Sequence, residues 1–176
     1  MHVGSLELNR SPELIFKALS RIKSSNCKLF FFQYGLVLKQ FQDIAVKNDI
    51  QDMVRFEGYI KSSEAVARIK GASLLVLLPT QNAPTAIPGK AYEYLRTGKP
   101  ILLISNENAT TKFMRQFPQV YHVMPEDEEK CFEVIMSIYR KDHIALRTFN
   151  NAIREYDRSK LTEKLSDELN VCLLES

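Results

Sequence analysis

Long hydrophobic runs are missing from this sequence: its longest purely apolar stretch, Leu74–Leu78, falls far short of the ~20 residues that cross a bilayer. No signal-peptide pattern is visible either. The expectation is a soluble, cytoplasmic chain, able to work at the inner face of a membrane. Charge of one sign is also missing. The net charge is +3 over 176 residues, and lysines and arginines interleave with acids over Glu126–Lys130 and Arg154–Lys164. A nucleic-acid binder would gather them into a stripe, so no nucleic-acid partner is expected. The three cysteines, Cys27, Cys131 and Cys172, form no CxxC pair and sit in or beside apolar stretches, which reads as buried reduced thiols. His2, His122 and His143 show no metal-ligand spacing, so neither a metal site nor a cofactor is expected.

Several phosphate-binding signatures are lacking too. No GxxxxGK[ST] follows a strand-like run, which excludes a P-loop. The first such run ends without GxGxxG, against a dinucleotide-binding domain, and without the acidic pair and aspartate acceptor of a receiver domain.

What is present is an alternation of strands and helices, in a chain whose 45% apolar content suits one well-formed core. His2-Val3 opens the first strand and Gly4 ends it. Ser11-Pro12 reads as an N-cap followed by proline at the first helical position, and Leu14, Ile15, Ala18, Leu19 and Ile22 recur at helical spacing. Strands are expected at Leu29–Gln33, Val54–Phe56, Ser73–Leu78, Pro100–Ile104 and Val120–Met124, with Ser73–Leu78 central and buried on both faces. Helices are expected at Leu36–Lys47, Glu64–Ile69, Asp127–Arg140, Ile144–Tyr156 and Leu161–Leu174. Strands separated by helices pair in parallel with right-handed crossovers. The fold class is therefore α/β, a doubly wound Rossmann-like parallel sheet of about six strands, in one domain over residues 1–176.

In such a sheet ligands bind beyond the carboxyl ends of the strands. That rule points to Gly4-Ser5, Tyr34-Gly35, Gly58-Tyr59, Thr80–Gly89 and Ser105–Asn108. The fourth segment says most. Pro88 suits the first helical position, which makes Ile87 a poor N-cap and leaves the Gly89 and Lys90 amides without an obvious partner. One reading seats a diphosphate there, through amides, helix dipole and the Lys90 ammonium; the other caps the helix with water or Thr85 and leaves Lys90 solvated. Glu93, three residues on, is either an acceptor for ribose hydroxyls or half of a surface Lys-Glu pair.

The segment Ile87-Pro-Gly-Lys-Ala-Tyr-Glu-Tyr-Leu-Arg-Thr-Gly-Lys-Pro-Ile-Leu102 strongly resembles the retaining glycosyltransferases of family 4 (group 1), whose carboxy-terminal lobes carry "PxKxxEYLaxGkPil". The likeness extends over most of the chain. Gly4-Ser-Leu with Arg10-Ser-Pro and Lys17-Ala-Leu resembles the opening "GrL…KG…lL.Al". Val54–Gly58 resembles "V.F.G", Ala72–Val76 resembles "aD.lv.p", and the final helices resemble the closing ones. The resemblance implies the carboxy-terminal, donor-binding lobe of a two-lobed GT-B enzyme. It would bind a UDP-, GDP- or ADP-sugar for transfer to a glycan or lipid-linked acceptor, as in polysaccharide synthesis.

By the same resemblance Gly4, Ser5, Arg10, Gly89 and Lys90 surround the diphosphate and Glu93 holds the ribose. Gly58 and Tyr59 flank the nucleobase, and Thr85, Ala86, Ile87 and Pro88 form the sugar-side loop. Two positions depart from the family pattern. Thr85 replaces the first glutamate of the E-x7-E motif, and Ser5 stands where many members have an arginine. The amino-terminal lobe, with the acceptor site and any peripheral membrane contact, is expected outside this sequence, so no catalytic residue is assigned and this chain alone is expected to be inactive. The alternatives are another GT-B enzyme, such as a nucleotide-sugar epimerase, or a non-catalytic α/β interaction domain.

Overall fold

The computed structural model describes residues 1–25, 27–141 and 151–174. Six parallel strands, β1 (His2–Val3), β2 (Phe31–Tyr34), β3 (Val54–Gly58), β4 (Leu75–Leu77), β5 (Ile101–Ile104) and β6 (Val120–Val123), alternate with helices. Their ladders form two triplets, β1-β2-β3 and β4-β5-β6. Met1 joins the triplets: its carbonyl accepts from the Val76 amide at 2.8 Å and its nitrogen donates to the Leu74 carbonyl at 2.8 Å. The sheet therefore runs β3-β2-β1-β4-β5-β6, the doubly wound order, with its switch point between β1 and β4.

The central strands alternate between two cores. Val76 and Leu78 of the β4 segment, with Leu102 and Ile104 of β5, face a core shared with α1 (Glu13–Lys23), α2 (Lys39–Lys47) and α6 (Glu128–Arg140). Leu75, Leu77, Ile101 and Leu103 face the other, shared with α4 (Gly89–Leu95) and α5 (Ala109–Met114). Burying both faces removes the polar side that would mark an exposed strand. α3 (Ser62–Gly71) connects β3 to β4 and contributes Ile69 to the second core.

Several expected boundaries move. α1 begins after Pro12, not Ser11, although the Ser11 hydroxyl still accepts from the Glu13 amide at 3.2 Å. α2 starts at Lys39 rather than Leu36, because Leu36–Leu38 stay extended beside Leu6: the Leu6 amide donates to the Leu36 carbonyl at 2.8 Å. Pro88 is the N-cap of α4 and not its first helical residue. α5 was not foreseen; it is only six residues long and threonine-rich, so periodicity has little to register.

Of the helix expected over Ile144–Tyr156, residues 144–150 lie outside the described residues, as does His143, and Asn151–Tyr156 form a 3-10 helix. The final helix, α7 (Arg158–Leu174), presents Leu165, Leu169 and Val171 to solvent. The cysteines correct the sequence reading in part. Cys131 is buried, but Cys27 is only half-buried and Cys172, on exposed α7, is exposed.

Candidate functional site

The switch point is shaped by glycine. Gly4 ends β1 at φ 144°, and a Cβ there would stand 3.0 Å from the Lys90 ammonium nitrogen and 3.3 Å from the His2 ring. Gly35 ends β2 at φ 124°, where a Cβ would meet the Gly4 carbonyl oxygen at 2.5 Å. A side chain at Gly35 would thus clash with backbone, one at Gly4 would crowd Lys90 and His2, and either would strain the backbone. The Gly35 amide in turn donates to the Gly58 carbonyl at 2.6 Å, so the ends of β1, β2 and β3 form one continuous lip.

Lys90 reaches Gly4 because of Tyr94. One helical turn beyond Lys90, on the same face of α4, the fully buried Tyr94 hydroxyl accepts from the Val3 amide at 3.1 Å. That bond docks α4 on β1 one residue before Gly4 and brings the first turn of the helix over the strand end. Burial pushes the Tyr94 phenol far above the ordinary tyrosine range, so it stays neutral.

A second cation bears on Lys90 there. Burial lowers the Lys90 ammonium below the ordinary lysine value, Glu93 works against that shift, and the Arg10 charge adds to it. Arg10 is half-buried, and its Nε is buried without a hydrogen-bond partner among the described residues. Neighbouring Asn9 donates from Nδ2 to Thr80 Oγ1 at 2.9 Å, tying the loop after β1 to the loop after β4, while its Oδ1 is buried and unpaired. Unpaired buried polar atoms are rare in folded proteins, and here both lie in one turn beside a cleft.

That cleft, of about 370 Å³, opens past the ends of β4, β5 and β6. Arg10, Asn9, Gln81, Ser105, Asn106 and Asn108 are among its walls. The charges nearby are compensated in part: Glu107 pairs with Arg115, and Lys17 lies 3.7 Å from Glu128. Its polar lining mixes the amides of Asn9, Gln81, Asn106 and Asn108 with the charged side chains of Arg10, Glu13, Lys17, Glu107 and Glu126. The loop after β4 is pinned at its far end, where the Pro84 carbonyl accepts from the Ala109 amide at 2.8 Å and the Ala86 carbonyl from the Thr110 hydroxyl at 2.9 Å.

Of the residues expected to bind ligand, Lys90 stands against Gly4, and the Arg10 charge bears on Lys90. Ser5 follows Gly4, half-buried; Gly89 is exposed at the start of α4 with open space around its Cα. No side chain caps that helix, Thr85 included, and Thr85 is exposed. Glu93 is exposed near Lys90 without a direct ion pair among the described residues. Gly58 and Tyr59 lie on the same lip at β3, with Tyr59 84% exposed. Ala86, Ile87 and Pro88 lead into α4; Ile87 packs on the second core. Arg10 alone among these residues also lines the cleft.

Asn9 and the Ser105–Asn108 wall were not identified individually as site residues. Asn108 carried a signal: it caps α5, its Oδ1 accepting from the Thr111 amide at 2.9 Å, in an Asn-x-x-Thr pattern before apolar residues. Among the described residues no three His, Cys, Asp or Glu side chains gather as a metal cluster would require.

The family model for group 1 glycosyl transferases matches residues 1–158. The chain belongs to that family. Comparison with curated protein sequences gives no significant match. Solved structures with the same fold include Anabaena HepE in complex with UDP, at TM-score 0.76 and 14% identity, covering 97% of this chain and 48% of that one. Sucrose-phosphate synthase from Thermosynechococcus elongatus superposes at TM-score 0.73 with 15% identity, over 99% of this chain and 46% of its own. TarM from S. aureus, crystallised with UDP, does so at TM-score 0.73 and 12% identity, over 94% and 34%. This glycosyl transferase family member has the Rossmann-like architecture of a GT-B lobe, and it spans less than half the length of these solved chains. No helix among the described residues is long and apolar enough to cross a membrane.

Proposed function

We propose that this chain is the donor-binding lobe of a retaining glycosyltransferase, taking a UDP-, GDP- or ADP-sugar. The observation that carries the reading is the Lys90 ammonium standing against Gly4 at the switch point, with the Arg10 charge near enough to bear on it. A cation over a strand end that is crowded for a side chain would form a seat for a diphosphate, with Arg10 and the Ser5 and Gly89 backbone beside it. Exposed Glu93 would accept from ribose hydroxyls, and the base would lie toward Gly58 and Tyr59. The sugar would then extend the other way along the lip, past Thr85–Pro88 toward the polar cleft.

In transfer, negative charge grows on the departing diphosphate. Preplaced cations lower the energy of that state more than that of the bound donor, so Lys90 and Arg10 would act as leaving-group stabilisers without a metal. The acceptor would come from an amino-terminal lobe closing over this one, with the assembled enzyme working in the cytoplasm at a membrane surface. Thr85, in place of the family's first motif glutamate, favours a second reading: a non-catalytic domain that keeps the fold.

Titration of UDP, GDP and ADP into labelled protein, followed by NMR, tests the site. Shifts centred on Gly4, Gly58 and Gly89 at millimolar ligand are the expected result. No shifts, or shifts scattered over α6 and α7, would remove the donor-site assignment and leave the non-catalytic reading standing.

A further inference from the structure

The donor reading leads toward the cleft beyond β4, β5 and β6 but assigns nothing inside it. Of the residues given to the nucleotide-sugar only Arg10 lines the cleft; none of Thr85–Pro88 does. Its walls are nevertheless firmly held. Arginine has no acceptor, so the Arg115 guanidinium, 2.8 Å from His122 Nδ1, donates to a bare ring nitrogen. The ring proton then sits on Nε2 and is donated to the Ser105 carbonyl at 2.8 Å. Thr111 braces the same wall, its hydroxyl accepting from Ser105 Oγ at 2.8 Å and donating to the Asn106 carbonyl at 3.0 Å. Across the cleft, Asn9 is tied to Thr80 at 2.9 Å.

The lining selects a class of ligand. Its apolar part is aliphatic, with Leu14, Leu78 and Ile104 all buried and prolines beside them. No aromatic ring lines the cleft among the described residues, so a planar base has nothing to stack on. Most of its charges are answered within the protein. Glu107 pairs with Arg115, Lys17 stands 3.7 Å from Glu128, and Glu13 accepts from the Ser11 hydroxyl at 3.2 Å. Arg10 and Glu126 remain, one of each sign, and make no case for an ion. What is left over is neutral. Gln81 and Asn106 are exposed, and their carboxamides have no hydrogen-bond partner among the described residues. Asn108 uses its Oδ1 on the Thr111 amide at 2.9 Å, which leaves its NH2. A sugar ring matches this pattern, because its C–H faces suit aliphatic walls and each hydroxyl both donates and accepts, as free carboxamides do. A volume of about 370 Å³ lies at the small end of ligand sites, roughly 300–1,000 Å³, and suits a mono- or disaccharide.

We propose that this cleft is a second carbohydrate site, taking a neutral sugar ring of a glycan independently of the nucleotide. Arg10 is common to both sites, so a ring seated here lies next to the proposed diphosphate seat. The proposal goes beyond the donor assignment and does not need it.

The test is titration of the labelled chain with maltose, cellobiose and lactose at tens of millimolar, with and without UDP, followed by amide NMR. At least one disaccharide should shift Ser105, Asn106, Asn108 and the side-chain amides of Gln81 and Asn106, and should still do so at saturating UDP. No shifts with any of the three, or shifts confined to Gly4, Gly58 and Gly89, overturn the site. UDP-glucose separates the two sources of a sugar. If it shifts the cleft while UDP and the free disaccharides do not, the cleft serves the donor's own sugar and the independent glycan site falls. Gln81→Ala combined with Asn106→Ala removes two exposed carboxamides that hold nothing else, so the fold should be kept. The double variant should bind the disaccharide about three- to tenfold more weakly, the size of one neutral hydrogen bond; parent-like affinity sinks the proposal. Cleft shifts in a chain that ignores UDP would keep this site and remove the donor assignment, whereas UDP shifts without any disaccharide response would do the reverse.

Discussion

The Tyr94 hydroxyl accepts the Val3 amide at 3.1 Å, and this side-chain bond stands in for a ladder bond to β4, whose backbone joins β1 only at Met1 among the described residues. It sets where α4 begins relative to Gly4, and hence where Lys90 can reach. Tyr94→Phe should leave a buried amide unsatisfied, destabilising the fold by about 1–3 kcal/mol. Urea denaturation measures this. An unchanged midpoint would mean that the Val3 amide finds another acceptor.

Charge and ribose contacts are separable at the donor site. Lys90→Ala should weaken nucleoside diphosphates far more than nucleosides, whereas Glu93→Ala should weaken both. Each loss should be roughly 1.5–3 kcal/mol for a charge-assisted bond. Calorimetric titration with UDP and uridine reads the difference. Parent-like binding by both folded variants would reduce the two residues to an ordinary helix-surface pair.

Gly35 is the tightest point of the lip, since a Cβ there would meet the Gly4 carbonyl oxygen at 2.5 Å with φ at 124°. Gly35→Ala should therefore cost about 2–4 kcal/mol, from steric overlap and an unfavourable backbone region together. Gly89→Ala, with open space and no such φ, is the control, and its melting temperature should stay near the parent's. Similar losses for both would contradict the close approach of β1 and β2.

Acid should destabilise the protein through His2. Burial lowers its folded-state pKa from 6.5 to about 4, so the unfolded chain takes up the proton first. Stability is unaffected by this group above pH 6.5 and falls as the pH drops from 6.5 to 4, by roughly 3 kcal/mol in all. The Met1 ammonium, held down to about 5 by burial, acts in the same direction, but it is shared with a His2→Gln variant and cancels in the comparison. Urea midpoints of the two proteins between pH 7 and 4.5 should diverge as the pH falls; parallel curves would show that His2 is not the group responsible.

Sugar transfer should require more than this chain. A retaining transfer holds donor and acceptor within reacting distance, a positioning effect worth several kcal/mol or more, and on the proposed reading the lip would form only one wall of such a site. Turnover assays with pooled sugar nucleotides and acceptors should find no product with the chain alone and transfer when an amino-terminal lobe is joined to it. Clear transfer by the chain alone would falsify the half-enzyme reading.

The alternation of strands and helices and the turn glycines at the strand ends were legible because β-rich runs, turn glycines and helical spacing are local signals. Lys90 was legible for the same reason: an uncapped helix start after Pro88 can be read from adjacent residues. The Asn9–Thr80 tie and the polar cleft were not, since they join loops about seventy residues apart. Nothing local to Tyr94 shows that its hydroxyl would meet Val3. The short α5 escaped because six residues hold less than two helical turns.

The seam between β1 and β4 has a further consequence. The two strand triplets are joined along their backbones only at Met1 among the described residues; beyond it the seam is spanned by side chains, Tyr94 to Val3 and Asn9 to Thr80. Those spans can lengthen or rotate more easily than a ladder, so the sheet has a compliant line at its centre. Gly4 and Arg10 stand on one side of it and Lys90 on the other. An anion held between them acts as a rivet, and occupancy should register as stiffness across the whole sheet, slowing amide hydrogen exchange in β1 and β4 together.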